Sequence, residues 1–238
     1  MVKVEYIGKC LVVEEKNRRI LAIGDLHLGY EEYMNRTGFF VSREMFNETV
    51  EYLGKIFDKI GVVEEIVLLG DVKQEFGIIG RQEWDDVLKL FDFLERKCKR
   101  IIVVKGNHDV ILEPIVKKSC VELKEIYIFR DVCFVHGDKK FENMKDERVQ
   151  LWVMGHGHPA VKISDGVKIE KYKCFLEGKH KEKKVIIAPS FFEGNEGTDP
   201  RENNLGLAWE FKLENFKVKV VQDNSLKVLD FGKLKEIK

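Results

Sequence analysis

Five times along this chain an apolar run stops, usually at a glycine, on side chains able to hold a metal. "RILAIG" leads to Asp25 and His27, "EIVLLG" to Asp71 and "RIIVVKG" to Asn107, His108 and Asp109; "VCFV" leads to His136, and "LWVMG" to His156 and His158. Short apolar runs bounded by glycine read as buried strands. In open α/β sheets, ligand sites lie just beyond the carboxyl ends of strands. A fold that uses these runs as strands is therefore expected to bring their ends to one crevice. Each motif alone says little, since a strand-ending Gly-Asp is often a turn and a lone histidine is usually a structural, hydrogen-bonded residue. Together they constrain the chain strongly. Five of its six histidines stand in such contexts, and the sixth, His180, lies in the lysine-rich stretch "GKHKEKK". His156 and His158 flank one glycine, so both imidazoles can turn toward one point, and imidazole is the commonest protein ligand for transition metals.

Two segments between the early strands carry helical periodicity. Met45, Phe46, Val50, Leu53, Ile56, Phe57 and Ile60 share one face after Ser42, which offers a cap; Trp84, Val87, Leu88, Phe91, Leu94 and Cys98 repeat the pattern. Both stripes read as core-facing. The alternation of strand and helix predicts parallel βαβ units in the first half. The second half reads as strands, among them "EIYIF", "KVIIAPS", "LGLAWEF" and "FKVKVV", with a turn at Ser164-Asp165-Gly166. The expectation is an α/β fold with more than one sheet layer, in a single domain over residues 1–238.

Composition removes several function classes. Lys+Arg and Asp+Glu both number 41, so no global field favours long duplexes or charged membrane surfaces. No apolar stretch approaches the roughly 20 residues that span a bilayer, and the charged N-terminus lacks a signal-peptide core. The five cysteines are scattered, with no C-x-x-C pair. That pattern fits a reducing cytoplasm rather than a disulfide framework or structural zinc.

The ordered set D-x-H (Asp25, His27), G-D (Gly70, Asp71), G-N-H-D (Gly106 to Asp109), H-G (His136) and G-H-x-H (His156, His158) resembles the motif series of the calcineurin-like metallophosphoesterases. A looser similarity, through "DLHLGYE", "RTG", "HGHPA", "KCFLEG" and "APSF", runs to about residue 200. It points to a branch of small prokaryotic phosphoesterases, one group of which is associated with DNA ligases. The resemblance implies an α/β sandwich of two mixed β-sheets flanked by helices, in α-β-β-α layers. It also implies two divalent ions, Mn²⁺ first, with Fe, Zn or Ni as alternatives. Asp25, His27, Asp71 and His158 would surround one ion, and Asp71, Asn107, His136 and His156 the other, with Asp71 bridging. A carboxylate between two dications offsets their repulsion, and a nitrogen–oxygen set without thiolate suits an open catalytic site. Gly157 is expected to let the backbone pass close to both ions.

In this resemblance His108 is the catalytic group that contacts the phosphate and protonates the leaving oxygen, with Asp109 holding its tautomer. Asn107 and His108 are the implied substrate contacts. Arg36 either contacts a substrate phosphate or is an exposed loop arginine. Many relatives carry a further carboxylate or histidine after the second motif, where this chain has Lys73, Gln74 and Glu75. The basic runs at 96–100 and 179–184 read as solvated ends of a helix and a loop. The implied activity is metal-dependent hydrolysis of a phosphate ester, chiefly a phosphodiester in small nucleotides or nucleic-acid ends, by attack of metal-activated hydroxide on phosphorus. The alternatives are a broad-range nuclease, a phosphomonoesterase and a scaffold that has lost catalysis. Such scaffolds lose ligands, whereas every position is filled here.

Overall fold

The strand-like runs of the first half form a six-stranded sheet in a computed structural model of the chain, which describes residues 2–237. Its strands are β1 (Lys3–Ile7), β2 (Cys10–Glu15), β3 (Arg18–Ile23), β4 (Val63–Leu68), β5 (Cys98–Val104) and β6 (Val121–Lys124), side by side in that order. β1 and β2 enter antiparallel, and β3 through β6 run parallel as the βαβ reading predicts. The crossovers carry α1 (Tyr30–Arg36), α2 (Met45–Ile60), α3 (Arg81–Glu95) and the single turn α4 (Glu113–Val116).

A second, eight-stranded sheet holds β7 (Tyr127–Phe129), β8 (Val132–Val135), β9 (Leu151–Met154), β10 (Ala160–Ser164), β11 (Ile169–His180), β12 (Lys183–Ile187), β13 (Lys217–Gln222) and β14 (Lys227–Lys233). The path runs β14-β13-β11-β12-β9-β8-β7, with β10 added on β11. β8, β9 and β12 are parallel and the remaining pairs antiparallel, so this sheet is mixed.

Successive strand residues point to opposite faces. In β3, Ile20 and Ala22 face the second sheet while Leu21 and Ile23 face the helices; Val67 and Ile66, then Ile102 and Ile101, repeat the division in β4 and β5. Strands buried on both faces read as continuous apolar runs, which is why these segments stand out in the sequence. α2 buries Leu53, Ile56 and Phe57 on the first sheet, and α3 buries Val87, Leu90, Phe91 and Leu94. Each such side chain stabilises by roughly 1.5–3 kcal/mol relative to exposure.

Three local expectations are corrected. Ser42 does not cap α2; the carboxylate of Glu31, from the preceding helix, accepts the amides of Glu44 and Met45 at 2.6 and 3.0 Å. Cys98 lies in β5, beyond the end of α3. "LGLAWEF" forms a 3-10 segment, Gly206–Glu210, in place of a strand. Period alone cannot decide such a short apolar run. Here Leu207, Ala208 and Phe211 insert into the outer core of the second sheet together with Phe216. That outer face is covered by 3-10 turns (142–145, 206–210, 213–215 and 234–236), so the helical layer on this side consists of single turns. Among the described residues no helix is long and apolar enough to cross a membrane.

Candidate metal centre

The carboxyl ends of five strands meet at one edge of the sandwich. β3 delivers Asp25 and His27, β4 delivers Asp71, and β5 delivers Asn107, His108 and Asp109; β8 and β9, from the opposite sheet, deliver His136, His156 and His158. Backbone hydrogen bonds weave the loops together. The amides of Leu26 and His27 donate to Asp71 O at 3.0 and 2.9 Å, and Gly155 N donates to His136 O at 2.9 Å. Across the two sheets, His156 N donates to both carboxylate oxygens of Asp25 at 3.0 and 3.1 Å.

Four of these side chains sit on left-handed backbone: His27 (φ 49°), Asp71 (48°), His156 (60°) and His158 (41°). Such conformations cost on the order of 1–3 kcal/mol each in a non-glycine residue and gather at functional sites. Gly70, at φ 94°, has no such cost, and a Cβ there would stand 2.5 Å from His136 Nδ1 and 2.8 Å from Gly106 N. A Cβ on Gly157 would meet Ile187 Cγ2 at 3.0 Å, so its bareness clears β12.

Three sets of side chains bring their ligand atoms within 4.8 Å of one another: Asp25, His27 and His158; Asp71, His136 and His156; and His27, Asp71 and His108. Asp71 joins the sets. Its Oδ1 accepts the amide of His108 at 2.9 Å, while its Oδ2 lies 3.4, 3.8 and 3.9 Å from the Nε2 atoms of His136, His27 and His108. His158 Nε2 lies 3.3 Å from Asp25 Oδ1. The sixth histidine, His180, packs between Trp152 and Phe211, outside these sets.

The donor set fits cations. Buried polar atoms are nearly always hydrogen-bonded, yet both ring nitrogens of His27 and Nε2 of His158 are buried without a hydrogen-bond partner. His136 gives its Nδ1–H to Leu69 O at 2.8 Å. Its Nε2 then faces Asn107 Oδ1 and His156 Nδ1, both at 3.0 Å, as well as Asp71 Oδ2. The lone pairs meeting there need a ring proton, on His136 Nε2 or His156 Nδ1, or a cation among them. Burial opposes a charge on His136, but Asp71 and Asp25 outweigh it and raise its pKa to about 9. Burial likewise opposes ionisation of Asp25, yet His158, His136 and His27 hold it well below the usual carboxylate range. Burial pulls His27 down to about 4, so this ring is neutral and ready to coordinate.

Asp109 does not touch the His108 ring. Its buried carboxylate accepts the amides of Val72 at 3.0 Å and Gly106 at 2.9 Å, splinting the Gly-Asp loop to the Gly-Asn-His-Asp loop. Burial, with the charge of Asp71, pushes it up to about 6. The His108 ring is oriented instead by Gln74, whose carbonyl accepts Nδ1–H and leaves Nε2 directed at the centre. Arg36 is exposed, as one of its two readings has it, but it ends α1 rather than lying in a loop, and it pairs with the carboxylate of Glu75. The buried Lys73 donates to the Glu75 carbonyl.

Sequence reasoning missed several supports. Ser190 Oγ and the amides of Phe191 and Phe192 donate to Asp25 O at 3.1, 2.9 and 3.1 Å. Lys173 donates to the carbonyls of Ser190 and Phe192 and so holds that loop in place. Their signal was faint, since one partner in most of these bonds is a backbone group.

No curated protein matches the sequence. Among solved structures, the nuclease MPE of Pseudomonas putida has the same fold at a TM-score of 0.60, with 13% identity over 97% of this chain and 100% of that one. The phosphoesterase Yfce of E. coli is similar at a TM-score of 0.40, with 14% identity over 76% of this chain and 89% of that one. The model of the calcineurin-like phosphoesterases matches residues 18–221, from β3 into β13, and so takes in every strand that ends at the centre. The family is metal-dependent, and the match makes this protein a phosphoric ester hydrolase. On that match the chain belongs to the calcineurin-like phosphoesterase family.

Proposed function

We propose that this chain, acting as one domain over residues 1–238, is a two-metal phosphodiesterase for small nucleotides or nucleic-acid ends. The observation that carries the reading is Asp71, whose Oδ2 lies 3.8 Å from His27 Nε2 and 3.4 Å from His136 Nε2, so that its carboxylate would be available to both ions. Asp25, His27 and His158 would hold one ion, and Asn107, His136 and His156 the other. When bound, the ions supply Lewis acidity, neutralise phosphate charge and activate a water nucleophile. A nitrogen–oxygen set without thiolate suits Mn²⁺, Fe or Zn; the family resemblance puts Mn²⁺ first, with Ni as a further alternative.

The protein's own groups do the rest. Asp25 and Asp71 are held ionised by the surrounding histidines. His108, with Nδ1–H committed to Gln74 O, presents Nε2 to a bound phosphate. Protonated there, it donates to the leaving oxygen as the P–O bond breaks and its electron pair passes to that oxygen. Asp109 acts as a positioning residue by fixing the loop on which His108 rides. Arg36, exposed at the end of α1 and paired with Glu75, remains a candidate contact for a substrate phosphate. The fold shared with a nuclease favours the diester reading. The free cysteines are in keeping with a reducing cytoplasm.

The test is a hydrolysis panel of monoesters, diesters, cyclic nucleotides, single-stranded DNA and RNA, run with Mn²⁺, Ni²⁺, Zn²⁺ or chelator. Mn²⁺-dependent cleavage of diesters is expected. Preference for monoesters would overturn the diester reading, and activity indifferent to chelator would overturn the metal mechanism.

A further inference from the structure

Beside His108 stands an aromatic ring that the chemistry above leaves unused. Phe76 packs on the His108 imidazole with ring centroids 3.8 Å apart and planes tilted by 32°. One face of the phenyl covers the histidine, yet the residue as a whole is 52% exposed. The His108 side chain is only 15% exposed, with its Nε2 edge toward Asp71.

The segment carrying this exposed phenyl is firmly anchored. The amides of Gln74 and Glu75 donate to Glu83 Oε1 at 2.8 and 2.9 Å, and Gly80 N donates to Glu83 Oε2 at 3.3 Å. Glu83 and Lys73 are both buried, and Lys73 reaches the Glu75 carbonyl from below. Glu75 is tied further to Arg36. A buried cation and a buried carboxylate thus fix a loop whose tip shows an apolar ring to water.

We propose that Phe76 is a specificity-determining residue whose outer face stacks on the nucleobase attached to the leaving oxygen. The inference rests on the phosphodiesterase reading above and names the part of the substrate it grips. His108 marks the side on which the leaving oxygen departs, and Phe76 lies one ring beyond it. A nucleoside places its base one sugar away from its ester oxygen. Phenyl has no donor or acceptor, so it selects a flat π surface without reading base identity, as single-strand binding surfaces do. In a nucleotide that surface is the base.

Two experiments test this. In the first, thymidylyl-thymidine is compared with its two analogues lacking one base, and product analysis of the parent shows which oxygen departs. Wild type should cleave the parent about tenfold or more faster, in kcat/KM, than the analogue without the leaving-side base. In Phe76→Ala and Phe76→Leu that ratio should fall toward one, while the ratio for the other base stays as in wild type. Equal losses on all three substrates would show that Phe76 only supports His108, and would overturn the inference. In the second, Phe76→Trp serves as a reporter without turnover. Its added fluorescence should be quenched by thymidine monophosphate and not by deoxyribose 5-phosphate; equal response to both, or none, would refute stacking. Should no diester be cleaved with any metal, the phosphodiesterase reading fails, and the fluorescence titration still decides whether the ring binds a base.

Discussion

Gly70 and Gly38 share almost the same backbone angle, φ 94° and 95°, in opposite surroundings. A Cβ on Gly38 would meet nothing within 4 Å, whereas one on Gly70 would press on His136 Nδ1 and on the backbone of Gly106. Alanine at either position pays for left-handed backbone, about 1–2 kcal/mol. At Gly70 two further effects apply. Pushing His136 off Leu69 O loses a hydrogen bond of about 0.5–1.5 kcal/mol, and crowding a packed site costs about 1–3 kcal/mol. Gly70→Ala should therefore lower stability by roughly 3–6 kcal/mol and Gly38→Ala by about 1–2 kcal/mol. Gly38→Ala stays folded across the ordinary range of about 5–15 kcal/mol, and Gly70→Ala does so where the parent exceeds about 7 kcal/mol. Urea unfolding with and without Mn²⁺ measures both effects. The metal-dependent rise in midpoint should persist in Gly38→Ala and shrink sharply in Gly70→Ala. Equal destabilisation, with metal response kept in both, would refute the claim that Gly70 makes room for His136.

Other outcomes follow from the same geometry. His108→Asn should keep full metal content while kcat falls by about 10²–10⁴-fold; unchanged turnover would remove His108 from proton transfer. Asp109→Ala leaves the Val72 and Gly106 amides unpaired, so unfolding should show a loss of about 2–5 kcal/mol; a loss near zero would mean that the splint carries no load. Because Asp109 is pushed up to about 6, the folded state binds more protons than the unfolded state between its ordinary pKa and 6. Stability from this residue should decline as pH rises through that window and level off above it, and Asp109→Asn should flatten the slope. Metal uptake should expel the His136 proton, since that group titrates near 9, while the depressed His27 and His156 have none to give. Calorimetry at pH 7.5 in buffers of different ionisation heat should show about one proton released, with affinity falling as pH drops; zero release would mean that His136 is already neutral.

The sequence made the centre legible because each ligand ends a strand buried on both faces. The apolar runs before Asp25, Asp71, Asn107, His136 and His156 were unmistakable for that reason. Much of the support escaped because it runs through the main chain. Gln74 orients His108 by its carbonyl, and Ser190 and Phe192 lend carbonyls to Lys173, so their side-chain identities carry little of the signal. Glu31 caps a helix thirteen residues downstream, where local rules looked to Ser42. Lys73, which looked like a gap in the motif, is a buried anchor. Period could not tell the 206–210 turn from a strand, because its apolar residues face the core in either form.

Neither sheet alone holds a complete cradle: Asp25, Asp71 and Asn107 hang from the first, and His136, His156 and His158 from the second. During refolding, tight cation capture must then wait until both halves of the sandwich have closed on each other. The moment at which manganese becomes bound would time that closure, with the ion as a late rivet rather than a seed.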